Sequence, residues 1–195
     1  MTSRRQQILE AFRKRLHHYG YDKTTMAEIA ADLGISVGTL YLEFDSKEHI
    51  LAGLMEETVR GFEEAFRLIL EAPSAAPDKL RDLLLTRVEL SDRCCREGAH
   101  AGEILLPGAD RCRRVGSEKE ARFLALLESV VAGGVEAGEL ESADPAATAR
   151  ALRDAIAVYL PPQSLECASE DLLARAESLV NLLVRGLHPQ LVRTA

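Results

Sequence analysis

A chain of 195 residues is long enough for one sizeable core plus a small accessory unit. Hydrophobic residues make up 47% of it and its formal net charge is −7, which excludes a disordered chain and argues against a uniformly basic nucleic-acid binder. No segment approaches the roughly 18 consecutive apolar residues of a membrane helix and the N-terminus lacks an apolar signal core, so a cytoplasmic protein with no membrane partner is expected.

In chain order, a first helix is predicted over Arg4–Tyr19, with Ile8, Leu9, Phe12, Leu16 and Tyr19 inward and Gly20 ending it. Thr25 precedes Glu28 by the spacing of a capping box, and Met26, Ile29, Ala30 and Leu33 then repeat at three and four. Gly34 follows, where a helix end needs a residue that tolerates positive φ. Ser36 can cap a third helix over Val37–Phe44, with Leu40 and Phe44 on its buried side. A fourth helix starts near Ser46, with Asp45 or Ser46 as cap, and runs to about Glu71. Pro73 to Pro77 break the chain, and Asp78 opens an amphipathic stretch through Leu80, Leu83, Leu84 and Val88 to about Arg96. Gly98, Gly102, Pro107, Gly108 and Gly116 make the next region irregular, apart from a short helix around His100–Leu106. Ser117 and Glu120 repeat the capping-box spacing, opening a helix through Phe123, Leu127 and Val131 to about Ala137. Asp144-Pro145 starts the next, carrying Ala149, Leu152, Ile156 and Tyr159 until Pro161-Pro162. Ser169 can cap a last helix that ends near Arg185. No strand alternation occurs, so the fold class is all-α.

Helix, short glycine turn, helix is the organisation of a helix-turn-helix DNA reader. The content of its second helix favours that reading over an inert hairpin. Gly38 costs about 1 kcal/mol relative to alanine inside a helix, a loss that makes sense if bare backbone must approach another molecule. Thr39 and Tyr41 carry hydroxyls suited to bases or phosphates, and Lys47 supplies a positive charge. Charge is also unevenly spread. Residues 1–23 hold Arg4, Arg5, Arg13, Lys14, Arg15 and Lys23 against Glu10 and Asp22, a net +4, leaving −11 for the rest. A basic end on an acidic body suits a localised phosphate-binding face.

The four cysteines, Cys94, Cys95, Cys112 and Cys167, lack zinc-finger spacing and read as small buried hydrophobes of a reducing compartment. The alternative is a thiol- or soft-metal-responsive protein using Cys94, Cys95 and Cys112 or His100. The histidines form no metal motif, so no metal ligand or cofactor is assigned. The chain carries no nucleophile elbow, phosphate-binding glycine loop, zinc-protease motif or Rossmann fingerprint, so no catalytic residue is assigned and an enzyme is disfavoured. A helical interaction module without DNA binding is the other rival.

The stretch from Gln7 to Leu54 closely resembles the N-terminal domain of the TetR family of bacterial repressors. The matching residues are Ile8, Ala11, Phe12, Gly20-Tyr21, Thr24-Thr25, Ile29-Ala30, Gly34-Ile35-Ser36, Gly38-Thr39-Leu40-Tyr41, Phe44 and Ser46-Lys47-Glu48. The resemblance implies a three-helix DNA-binding head over residues 1–45 and a helical effector-binding and dimerisation body over 46–195. It implies a phosphate contact at Thr25, an approach to base edges or phosphates by Ser36, Gly38 and Thr39, and a hold on the DNA backbone by Tyr41 and Lys47. Val37 stands where many relatives carry lysine or another polar residue, and Leu42 and Glu43 where aromatic, histidine or basic residues are frequent. Val37 stays in the set expected at DNA, but these departures leave the operator sequence unspecified.

The implied function is a sequence-specific regulator, a repressor released from double-stranded operator DNA by a small-molecule effector. A homodimer is expected, because two recognition helices must meet major-groove faces about 34–36 Å apart. The effector is expected in the body, between the fourth helix and the helix ending near Ala137, lined by Phe62, Phe66, Ile69, Leu84, Arg87, Leu90, Leu127 and Val131. Arg87 is the informative member, since a charge on a mostly buried helix needs an acidic partner or an anionic ligand. The aliphatic composition leans toward an apolar or amphipathic effector. The last two long helices are expected to form the dimer interface through Leu152, Ile156, Leu179, Leu182 and Leu183.

Overall fold

The computed structural model describes residues 3–96, 110–161, 163–166 and 168–189. Among them are eight α-helices and no strand. The helices are α1 (Arg4–Tyr19), α2 (Met26–Asp32), α3 (Val37–Tyr41), α4 (Lys47–Glu71), α5 (Ala76–Arg96), α6 (Asp110–Glu136), α7 (Pro145–Ala155) and α8 (Ser169–Gly186). Short 3₁₀ turns at Ala157–Tyr159 and Gln163–Glu166 separate α7 from α8. The chain forms two compact units, Met1–Gly61 with Arg93–Glu118, and Phe62–Asp92 with Lys119–Ala195. The boundary expected after residue 45 coincides with the cap of α4, whereas the packing units divide inside that helix.

The first unit is built by local capping around one apolar cluster. Ser3 caps α1 in a reciprocal box with Gln6, and Thr25 does the same for α2 with Glu28. Gly34, at φ 63°, closes α2. Its N–H donates to the Ala31 carbonyl while the Ile35 N–H reaches back to Ala30, the paired bonds of a Schellman end. Ile8, Phe12, Leu16, Ile29, Leu40, Phe44 and Ile50 are fully buried together. Tyr19 departs from the expected inward set: it is 54% exposed, with the Arg15 guanidinium 5.5 Å from its ring centroid. Helix α3 is also shorter than expected. It ends at Tyr41, and the Glu43 and Phe44 N–H groups both turn back onto the Leu40 carbonyl. Ser46 supplies the α4 cap, accepting from the His49 N–H at 3.1 Å.

In the second unit, α5 starts at Ala76 rather than Asp78, and the Ala76 N–H donates to Glu139 at 2.7 Å. The expected start of α6 at Ser117 is corrected. The helix is already formed at Asp110, and Ser117 donates its hydroxyl to the Arg113 carbonyl one turn back instead of capping. Gly116 therefore lies within a helix. The short helix expected around His100–Leu106 lies outside the described residues. Asp144 caps α7 with Pro145 in its first turn, as expected, but α7 stops at Ala155 instead of reaching Tyr159. Ser169 does not cap α8; it is the first residue of that helix, and its hydroxyl donates to Asp92.

Two adjacent glycines in α6 differ sharply in surroundings. A Cβ on Gly134 would lie 2.5 Å from Leu140 Cδ1 and 2.7 Å from Ala76 Cβ, while one on Gly133 would meet nothing within 4 Å. Gly134→Ala should therefore destabilise the protein by about 1–3 kcal/mol through overpacking. Gly133→Ala should stabilise it by up to about 1 kcal/mol. Denaturant unfolding of both variants checks this; equal responses would show that Gly134 is not a close-packing point.

Candidate nucleic-acid interface and body site

Helix α3 is only five residues long and is held at both ends. Ser36 Oγ accepts from the Thr39 N–H at 3.0 Å and lies 2.8 Å from the Thr39 hydroxyl. Leu40, fully buried, and Phe44 anchor it from behind. Opposite this anchor, Ser36, Val37, Gly38, Tyr41 and Leu42 are exposed and Thr39 is half-buried. The expected α3 set is thus brought onto a small outward surface.

Gly38 has no internal reason to be glycine. A Cβ there would meet only Ser36 Oγ, at 3.7 Å, an ordinary contact. The bare backbone is therefore available to something outside the chain. Leu42 was not assigned to this surface by sequence, yet at 85% exposure it is the most exposed large apolar residue described. The usable signal was its position four residues after Gly38, on the same helical face. An apolar side chain there suits a thymine methyl group.

Two expected contacts already have internal partners. The Thr25 hydroxyl accepts from the Glu28 N–H and lies 2.8 Å from the Glu28 carboxylate. These bonds, made by the hydroxyl and the Thr25 amide, hold the Glu28 carboxyl below its ordinary value, with Arg15 adding to the effect. Lys47 donates to the Tyr21 carbonyl at 2.7 Å and sits 4.0 Å from the centre of the Tyr21 ring. One of its three N–H donors is thereby committed to tying the loop before α2 to α4.

The basic N-terminal segment is likewise partly spent inside the fold. Arg15 grips Asp32 through Nε at 2.5 Å and Nη2 at 2.9 Å, which pulls the Asp32 carboxyl below its ordinary value. Arg13 bridges Glu10 and Glu57. Arg5 donates to the Glu43 carbonyl at 3.2 Å, with its guanidinium 4.1 Å from the centre of the Phe44 ring. These three are structural clamps, so fewer residues of the segment are left for the localised phosphate-binding face expected from its charge.

In the second unit, Phe62, Phe66, Leu84, Arg87, Leu127 and Val131 are buried, and Ile69 and Leu90 are half-buried. Phe66 packs on both Phe62, at 6.3 Å between centroids, and Phe123, at 5.1 Å. Arg87 donates through Nη2 to Glu120 and lies 5.7 and 5.3 Å from the Phe62 and Phe123 ring centres. The sequence reading missed Phe123, Glu120 and Lys119 here; the Lys119 ammonium sits 4.3 Å from the centre of the Phe62 ring. Only the three- and four-residue spacing on α6 could have suggested Phe123 and Glu120 as neighbours.

Of the residues expected at a dimer interface, Leu152 and Ile156 are buried within the chain itself. Leu179 and Leu183 are half-buried and Leu182 is 69% exposed. A shallow groove of about 440 Å³ is lined by Tyr159, Ala174, Arg175, Ser178, Leu179 and Leu182. Cys94 is half-buried, and no group of three or more metal-binding side chains occurs among the described residues. His100 and Cys167 lie outside the described residues, as do the side chains of Cys95 and Cys112.

Because Gly38 is unpacked, Gly38→Ala should leave thermal stability unchanged or raise it by up to about 1 kcal/mol. The same change should cost about 1–3 kcal/mol in binding to a duplex selected for this protein, through steric overlap at the contact. Anisotropy titration beside thermal unfolding separates the two effects. Undiminished DNA binding would remove α3 from the interface.

Comparison with known proteins fits this geometry. Residues 8–54 match the family described as bacterial regulatory proteins, tetR family, and residues 76–181 match the tetracyclin repressor-like C-terminal domain. The fatty acid metabolism regulator protein of Bacillus subtilis is 25% identical over 192 residues, covering 93% of this chain and 94% of that protein. An HTH-type transcriptional repressor of Mycobacterium tuberculosis is 29% identical over 126 residues, covering 58% of this chain and 67% of that protein. The fold is shared with a TetR/AcrR-family regulator from Thermobifida fusca (TM-score 0.78, 24% identity, 96% of this chain and 100% of that one). It is shared as well with the regulator FadR from Bacillus subtilis in complex with stearoyl-CoA (TM-score 0.70, 24% identity, 93% and 98%). With a capped helix-turn-helix within residues 8–54 and a matching C-terminal domain over residues 76–181, this chain belongs to the TetR family of bacterial transcriptional regulators.

Proposed function

We propose that this regulator is a homodimeric repressor that holds operator DNA through α3 and releases it when an amphipathic, acyl-bearing molecule enters the body. The observation that carries the DNA half is the exposed α3 surface, with a glycine that nothing inside the protein requires. Ser36, Val37, Gly38, Thr39 and Leu42 would meet the major groove, and Tyr41 would hold the DNA backbone. Thr25 and the remaining donors of Lys47 would meet phosphate, positioning the head without specifying sequence.

The effector half is supported by the body's phenylalanine and leucine content and by the relatives. One is a fatty acid metabolism regulator, and a protein of the same fold was solved with stearoyl-CoA. Residues 46–195 would hold the effector, around Phe62, Phe66, Ile69, Leu84, Leu90, Leu127 and Val131. Helix α4 runs without interruption from Lys47 to Glu71, so one element carries residues of both the proposed DNA-binding and effector-binding sets. A ligand that prefers one arrangement of this helix lowers DNA affinity by its differential affinity for the two states, and the effect is reciprocal. Stearoyl-CoA should therefore bind about 5- to 150-fold more weakly to the operator complex than to the unliganded protein. Calorimetric titration with and without operator checks this, and equal affinities would rule out release by that ligand.

For the dimer, exposed apolar surface at Val158 and Leu182, together with the groove beside Leu179, supports self-association through α8 and the segment after α7. The buried Leu152 and Ile156 would support this surface from within. Leu182→Glu should leave the protomer folded, because the side chain is exposed, and should dissociate the dimer by placing an unpaired charge in an apolar contact. Sedimentation with circular dichroism tests it; a folded, still dimeric variant would move the interface elsewhere.

A further inference from the structure

Arg87 is the strongest underused donor in the body. Its side chain is 4% exposed, and neither Nε nor Nη1 has a hydrogen-bond partner among the described residues. Burial lowers the pKa of the guanidinium while Glu120 pulls it the other way. Arginine nonetheless stays protonated in proteins, so a full positive charge sits between the rings of Phe62 and Phe123. Buried donors without partners carry a desolvation cost and call for an explanation.

A guanidinium grips an oxyanion at two points along either of two edges, Nε with Nη2 or Nη1 with Nη2. Arg15 in this same chain uses the first edge on Asp32. Glu120 instead takes Nη2 of Arg87 alone, the corner common to both edges. Nη2 carries one hydrogen toward each edge, so an oxyanion can grip the edge that Glu120 leaves open, or take the other by displacing it. That carboxylate is 44% exposed and can return to water at small cost.

We infer that Arg87 is the seat for an oxyanion of an amphipathic ligand, and that Glu120 competes with that oxyanion for the guanidinium charge. This rests on the acyl-effector proposal for the apolar remainder of the ligand, which would lie among Phe62, Phe66 and Phe123. The shared chemistry is an oxyanion, supplied either by a free carboxylate or by the phosphates of a coenzyme A ester.

The test titrates the full chain and its Arg87→Met and Glu120→Gln variants with laurate, lauroyl-CoA and dodecanol by calorimetry, with operator release followed in parallel. Arg87→Met should weaken whichever anionic ligand binds by about 10- to 100-fold and leave dodecanol unchanged. Glu120→Gln should tighten the same ligand by up to about fivefold. A response confined to laurate assigns the carboxylate, and one confined to lauroyl-CoA assigns the phosphates. Wild-type affinity for the anion in Arg87→Met, with release intact, overturns the seat and leaves the acyl-effector proposal standing. Equal losses for anion and alcohol overturn it as well, marking Arg87 as structural. Absence of binding by any of the three ligands to the wild type overturns both proposals. Should Arg87→Met fail to fold, Glu120→Gln carries the test, and unchanged or weakened anion affinity in it overturns the seat.

Discussion

A helix of five residues cannot sustain itself in water, because the cost of its first turn is never recovered by propagation. Every property of the proposed DNA-facing surface therefore depends on the burial of Leu40 and Phe44 against α1, α2 and α4. That burial fixes which residues of α3 face outward, and the Ser36 and Ser46 caps define where it starts and where the next helix takes over. The head places its rigidity behind α3 and in the Ser36–Thr39 cap, leaving Val37, Gly38, Tyr41 and Leu42 facing outward. Gly38 and Leu42 are then both intelligible: one removes atoms and the other adds apolar surface, and neither contributes to the packing behind them.

The second unit follows a different logic. Phe62, Phe66 and Phe123 interlock, and around them lie ionic groups that a purely apolar core would exclude. Replacing a buried ion pair with hydrophobic residues of similar volume is often neutral or stabilising. Here only Arg87 is buried while Glu120 is 44% exposed, an arrangement that suits the proposed recognition role. Glu63 on α4 and Arg122 on α6 form a second ion pair in this unit, at a more exposed level than Arg87 on α5 with Glu120 on α6.

Much of the head was legible in the sequence, since its organisation is written in local signals: Thr25 with Glu28, the Gly34 turn and the Ser36 cap each act within a few residues. The early end of α3 was not legible, because Leu42 and Glu43 are acceptable helix residues and only the packing of Phe44 turns the chain. The start of α6 was misplaced for a similar reason. Gly116 is tolerated within a helix, and the Ser117–Glu120 spacing mimics a cap that the hydroxyl does not make. Partnership between Arg87 and Glu120, 33 residues apart, needs the tertiary fold. Arg87 could be marked as needing a partner, but composition alone could not identify it. The burial of Leu152 and Ile156 was likewise hidden, because an apolar stripe looks the same whether its own chain or a second copy covers it.

The internal ion pairs of the head have a consequence for how this protein finds its target. Residues 1–47 contain seven basic and six acidic side chains, and Arg13 and Arg15 are engaged by Glu10, Glu57, Glu28 and Asp32. Few cations remain to displace the counterions condensed on a duplex, and the rest of the chain is acidic. Affinity for arbitrary DNA comes from that release, so these internal pairings lower the sequence-independent share of binding. On the proposed reading of α3, discrimination would then rest more heavily on that short surface. A head of this kind would also be held less by non-specific DNA once off its operator, so the proposed effector signal would be read with little delay.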